Sequence, residues 1–302
     1  MIEGILVEGL IYGILALGVF ISFRILDFPD LTVEGSFPAG AAGGAMTALI
    51  LSPRFGAGGS ALLVVSILCA GLIAGGLAGL ATAEIYHRLK VHPLLAGIIT
   101  MTGFYSINLR ILGGKPNLPL IVGNPLLDSA RSFLNGILNP EFSLLAASML
   151  AVLALFGVLD FFFHTEVGIA LGALGDNENS VIQAGINPVR LRTLGIILAN
   201  ALAGLAGAIA ASYQGFADVN FGQGVVASGL ATVMLGELVI RSQYIGVQLA
   251  RVFVGSILFK ALMYAARSWG YLAGITPNDL RLITALLIIG SITLSKVGRK
   301  SS

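Results

Sequence analysis

Three carboxylates in this sequence stand where a carboxylate is hard to keep. Asp30 and Glu34 lie in FPDLTVEGSF (28–37) and Asp218 lies in FADVNFGQG (216–224), and each stretch interrupts long apolar runs. Thr32, Asn220 and Gln223 add neutral hydrogen-bonding groups to the same two breaks. A charge held among apolar helices is costly unless it faces water, a partner group or the positive end of a helix. Two uses therefore suggest themselves. The six residues could line a route for a polar solute. They could instead cap the free N–H groups where a helix restarts, and the residue types alone leave both open. Other chemistry is missing from the sequence. The three histidines, His87, His92 and His164, are scattered, so no metal site is expected. There is no G-x-S-x-G serine elbow and no G-x-x-x-x-G-K-[ST] loop to cradle a nucleotide. The single cysteine, Cys69, sits in an apolar run and offers no disulfide.

A second polar island occupies 172–192, GALGDNENSVIQAGINPVRLR. It has the parts of a short helix. Asp176, Asn177 or Asn179 can cap its start, and Val181, Ile182 and Ala184 give it an apolar side. Gly185 can close it where positive φ is needed, and Pro188 opens the next helix. Such a helix between two spans is either an ordinary connection or a rigid handle that another protein grips.

The elements that must position these residues follow from composition. Of 302 residues, 11% are charged, 56% are hydrophobic and 40 are glycine, and the mean hydropathy is +0.94. That pattern predicts an all-α fold, a polytopic membrane bundle. Short alternating strands of a porin-like barrel do not occur. The net charge of +2 says little about partners, and no nucleic-acid partner is expected. MIEGILVEG has acids and no basic stretch, so it reads as the start of a span, not as a cleavable signal. Apolar segments at 5–26, 37–51, 60–86, 92–111, 139–161, 194–215, 225–242, 247–267 and 279–295 predict nine crossings. Arg88, Lys90, Arg190, Arg192, Arg241, Lys296, Arg299 and Lys300 then fall on one side, which the positive-inside bias makes cytoplasmic. The N-terminus and the loops 112–138 and 268–278 face out, the latter with Trp269 and Tyr271 as interfacial anchors. Glu84 and Glu237 stand four residues before Arg88 and Arg241 and are expected to pair with them.

Segments 5–111 and 194–295 share one plan: span, polar break, short helix, span, span. The span 139–161 between them makes the second unit inverted relative to the first. A single permease domain over 1–302 is thus expected, with inverted repeats, discontinuous helices and a cytoplasmic segment at 166–192. Small residues four apart, Gly71, Gly75, Gly79 and Ala83, and again Ala199, Ala203, Gly207 and Ala211, read as faces of close helix packing.

Nearly end to end, the chain resembles the permease subunits of bacterial ABC importers of the branched-chain amino acid and ribose class. The resemblance is carried by GLIYGILALGVFISFRILDFPDLTVEGSF at 9–37, by GDNENSVIQAGIN at 175–187 and by LANALAGLAGAIAASYQG at 198–215. It implies a plasma-membrane permease that works as a homodimer. Two ABC ATPase subunits stand on the cytoplasmic face, and an extracytoplasmic binding protein delivers the substrate. ATP and Mg would be bound by the ATPase, with no cofactor in this chain. Coupling to the ATPase would fall to Gly175, Asp176, Asn177, Glu178, Asn179 and Gly185. Members of the class often carry an arginine three residues before that first glycine, where this chain has Gly172. Arg190 or Arg192 would have to supply its contact. The wording of 28–37 is closer to amino-acid than to sugar importers. An ion-coupled secondary transporter, which needs no ATPase, and a membrane scaffold are the alternatives.

Overall fold

The computed structural model describes residues 2–55, 61–120, 128–129, 140–270, 282–290 and 293. Helix α1 (Ile2–Phe20) continues through a π-helical turn, Ile21–Ile25. After a break come α2 (Val33–Phe55), α3 (Ala61–Leu89) and α4 (Pro93–Ile111). A short strand, β1 (Asn117–Pro119), and α5 (Pro140–Phe163) follow. Next are α6 (Glu166–Asp176), α7 (Glu178–Gln183) and α8 (Pro188–Gln214). The second break holds β2 (Phe216–Asp218) and a 3-10 turn (Val219–Gly222), and it leads into α9 (Val225–Val239) and α10 (Ile245–Gly270). Residues 282–290 are again helical.

Among the described residues, seven helices are long and apolar enough to cross a membrane. They are α1 with its π turn, α3, α4, α5, α8, α9 with the preceding turn, and α10. The segment expected as a helix over 37–51 is α2, which has 23 residues and spans about 34 Å. It starts earlier than Pro38 suggests: the proline lies in its second turn, where it forgoes the hydrogen bond to the Glu34 carbonyl and crowds it. Glu34 and Ser36 are therefore helical, and the first break shrinks to 26–32. Much of the expected ninth span, most of the loop 112–138 and Tyr271 lie outside the described residues.

Helix α8 is the axis of the bundle, packed against α1, α2 and α3. It runs antiparallel to α1: Gly4 lies beside Tyr213, Gly18 beside Ala199 and Leu26 beside Gly195. Helices α1 and α8 thus point in opposite directions, with one break at each end of the pair. Backbones meet without intervening side chains. A Cβ at Gly75 would lie 2.2 Å from the Asn200 carbonyl oxygen, one at Gly40 1.9 Å from that of Gly204, and one at Gly207 1.9 Å from that of Phe37. The small-residue rows are the faces of helix packing their spacing suggested.

Glu84 pairs with Arg88 as expected. Glu237 does not take Arg241. Its carboxylate binds Arg24 on α1 and Arg251 on α10, the latter at 3.1 Å. Arg251 lies on the neighbouring antiparallel helix, which brings it closer than a residue one turn along.

Candidate functional site

The two breaks are built differently. In the first, Asp30 is fully buried. Its Oδ1 accepts the Thr32 N–H at 2.8 Å, and its Oδ2 accepts Asn200 Nδ2 at 2.7 Å. Asn200 in turn accepts the Ser36 hydroxyl at 2.9 Å, and the Thr32 and Thr82 hydroxyls hydrogen-bond to each other at 2.5 Å. A carboxylate is thereby held among neutral groups of α2, α3 and α8, where each donor offsets part of the cost of burial. Gly97 of α4 lets the chain through: a Cβ there would stand 2.8 Å from the Leu31 nitrogen. Asn108 donates to the Gly35 carbonyl at 3.1 Å and anchors the first turn of α2.

Glu34 leaves this cluster and reaches the other break. Its Oε1 accepts the Gly224 N–H at 3.1 Å, which places a negative charge at the start of α9. Gly222 closes the same joint, since a Cβ there would lie 1.8 Å from the Glu34 carbonyl oxygen. Asp218, Asn220 and Gln223 mostly serve their own turn. Asp218 Oδ1 accepts the Asn220 N–H at 2.7 Å, and Gln223 Nε2 donates to Asn220 Oδ1 at 3.1 Å. Strand β2 pairs antiparallel with β1, Leu118 opposite Ala217, and Asn117 Nδ2 reaches Asp218 at 3.3 Å. The six residues thus form two clusters, one buried and one exposed, joined through Glu34.

Gln223 and Gly224 also line a cavity of about 630 Å³ between α1, the second break and α10. Lys260 projects into it, 3.0 Å from Glu8 and 3.3 Å above the Tyr12 ring. Neither Asn200 nor Lys260 stands out in the sequence as a site residue. The only signal was a lone polar group within a long apolar helix.

At the opposite end, the polar island folds into α6 and α7. Asn177 ends α6 and caps α7, its Oδ1 accepting the Asn179 N–H at 3.0 Å. Gly185 follows α7 with φ +77°. Asn187 then caps α8, accepting the Val189 N–H at 2.9 Å, with Pro188 in the first helical turn. Asp176, Glu178 and Asn179 are exposed, as are Ile182 and Ala184, whereas Val181 is buried. Glu178 is not free: it pairs with Arg192 at 2.9 Å, so Arg192 is committed within the chain while Arg190 remains exposed. Gly175 touches the first break directly. A Cβ there would stand 1.9 Å from the Ile25 carbonyl oxygen and 3.2 Å from the Leu26 carbonyl carbon. Gly172, one turn earlier, has nothing within 4 Å of its Cβ position.

The described residues thus form a bundle with seven helices long and apolar enough to cross a membrane, two polar breaks and a capped polar segment at one end, an arrangement that suits a transport permease. The chain belongs to the family described as branched-chain amino acid transport system / permease component, which matches residues 1–291. It is an ABC-type permease of the plasma membrane, crossing it several times. It is 34% identical to a tyrosine transport system permease protein of Clostridioides difficile (strain R20291), over 95% of this chain and 89% of that one. An uncharacterized protein of Rickettsia prowazekii (strain Madrid E) is 30% identical over 97% and 96% of the two chains. A probable branched-chain amino acid transport permease protein of Methanocaldococcus jannaschii is 26% identical over 79% and 74%. No solved structure matches the chain.

Proposed function

We propose that this chain is the membrane-spanning subunit of an ATP-driven amino-acid importer, paired with a second copy. ABC ATPase subunits bind ATP and Mg on the cytoplasmic face, and an extracytoplasmic binding protein delivers the amino acid. The observation that carries the reading is the seat of Gly175 on the backbone of Ile25 and Leu26. Through it, a push on the exposed 176–180 segment reaches the end of α1 and the break that holds Asp30. Segment 175–185 is then the handle for the ATPase, with Asn177 and Gly185 defining its ends. The solute route passes the two breaks. Glu8, Lys260 and the Tyr12 ring in the cavity beside Gln223 offer groups of both charges and an aromatic face, which suit the ammonium, carboxylate and ring of an aromatic amino acid.

The test is reconstitution in liposomes. Purified alone, the chain hydrolyses no ATP. With a partner ATPase and an extracytoplasmic binding protein, turnover rises when tyrosine or a branched-chain amino acid is supplied. Uptake that persists without any ATPase and follows an ion gradient would overturn the proposal in favour of a secondary transporter.

A further inference from the structure

The end of the molecule that carries the polar segment has a second polar feature. Arg24 precedes Ile25, whose carbonyl abuts Gly175, so the two lie at the same end. A cleft of about 980 Å³ opens there, bordered by Arg24, Glu237, Arg241, Tyr244, Gln248 and Arg251. Its single carboxylate is used up. Glu237 Oε1 accepts Arg24 Nε at 2.9 Å and Arg251 Nη2 at 3.1 Å, and its other oxygen takes a second Arg24 nitrogen. One acid therefore faces three guanidinium groups.

Two of those groups have capacity left. Arg241 is exposed and forms no ion pair among the described residues. The Arg251 side chain is nine-tenths buried, with 10% of its surface exposed. Its Nε is a buried donor without a hydrogen-bond partner. A buried N–H left unpaired is costly, and such groups ordinarily find an acceptor. An acceptor for Arg251 and Arg241 together has to be anionic and carry several oxygens, as a phosphate does. The walls also say where it comes from. Leu238 lines the cleft and Val239 beside it is exposed, so the basic groups adjoin apolar surface at the end of a membrane helix.

We propose that this cleft binds a phosphate ester, the headgroup of an anionic phospholipid in the cytoplasmic leaflet, held by Arg241 with the Arg251 guanidinium in its wall. Free inorganic phosphate shares the chemistry. The full-length protein in neutral detergent is titrated with phosphatidylglycerol, phosphatidylcholine or inorganic phosphate, and its unfolding temperature is followed. Phosphatidylglycerol raises it saturably and phosphatidylcholine does not. Arg241→Gln raises the half-saturating lipid concentration about fivefold, the factor that corresponds to about 1 kcal/mol per basic residue at a membrane surface. Arg190→Gln, which removes an exposed arginine at the same end but outside the cleft, leaves it unchanged. Saturable stabilisation by inorganic phosphate, lost in Arg241→Gln, supports the phosphate site but assigns its source to solution. Equal responses to the two lipids with no response to phosphate overturn the proposal, as does an equal effect of the two substitutions.

Discussion

Replacing Gly175 with alanine separates a coupling role from a merely connecting one. The added methyl carbon would stand 1.9 Å from the Ile25 carbonyl oxygen, about 1.5 Å inside ordinary contact. The obstacle is backbone, so no rotamer change relieves it, and either α6 or the end of α1 has to move. Overpacking of this kind costs about 1–3 kcal/mol. That is the size of a typical linkage between distant sites, about 5- to 150-fold in an equilibrium. The control lies one turn away. Gly172→Ala meets open space and gains helix propensity of up to about 1 kcal/mol. Both variants are reconstituted with the ATPase and loaded binding protein, and unfolding temperature and substrate-stimulated ATP turnover are measured. Gly172→Ala matches the parent or is slightly more stable. Gly175→Ala loses stability and most of the stimulation, while basal ATP turnover persists. If the two alanine variants behave alike in both assays, the contact between Gly175 and the first break carries nothing and the reasoning is refuted.

Asn200→Leu removes the donor to Asp30 and the acceptor for Ser36, leaving a buried carboxylate with fewer partners. It lowers stability by about 1–3 kcal/mol or more, read from unfolding in detergent, whereas an unchanged midpoint would mean the cluster is not closed. Glu178→Lys breaks the pair with Arg192 as well as any contact to a partner, so it is tested with Arg192→Glu. If the pair matters only within the chain, the double variant regains ATPase binding, and the stability difference stays below about 1 kcal/mol because the pair is partly exposed. If Glu178 faces the ATPase, binding stays weak in the double variant. Lys260→Met keeps the bundle assembled but lowers amino-acid uptake, and parental uptake by this variant would remove the cavity from the route.

Much of this architecture is legible in the sequence because it is written locally. Apolar run length gives seven of the nine expected spans; α2, expected over 37–51, is not among the helices long and apolar enough to cross, and the ninth segment lies mostly outside the described residues. Asn177, Gly185 and Pro188 mark helix ends by the conformations they favour. What is not legible is long-range. Asp30 and Asn200 are 170 residues apart, and a single asparagine in an alanine-rich helix carries no mark of its partner. Glu237 was expected to pair one turn away, since that spacing is the one a sequence displays. Its partner Arg24 is 213 positions distant, brought close only by packing. The strand pair β1 and β2 was equally hidden, since three residues make too short a run to show alternation.

The contacts of α8 limit how this molecule can change shape. A side chain between two helices can switch rotamer and let them slide, but a glycine against a carbonyl has no such slack. Because α1, α2 and α3 all meet α8 in that way, none can shift along it by a fraction of a turn without first lifting away. The four helices consequently translate or rotate as one block. Any relative shift is left to contacts made by side chains instead: the Asn177 cap between α6 and α7, and the arginine–glutamate bridge from the turn after α1 to α9 and α10.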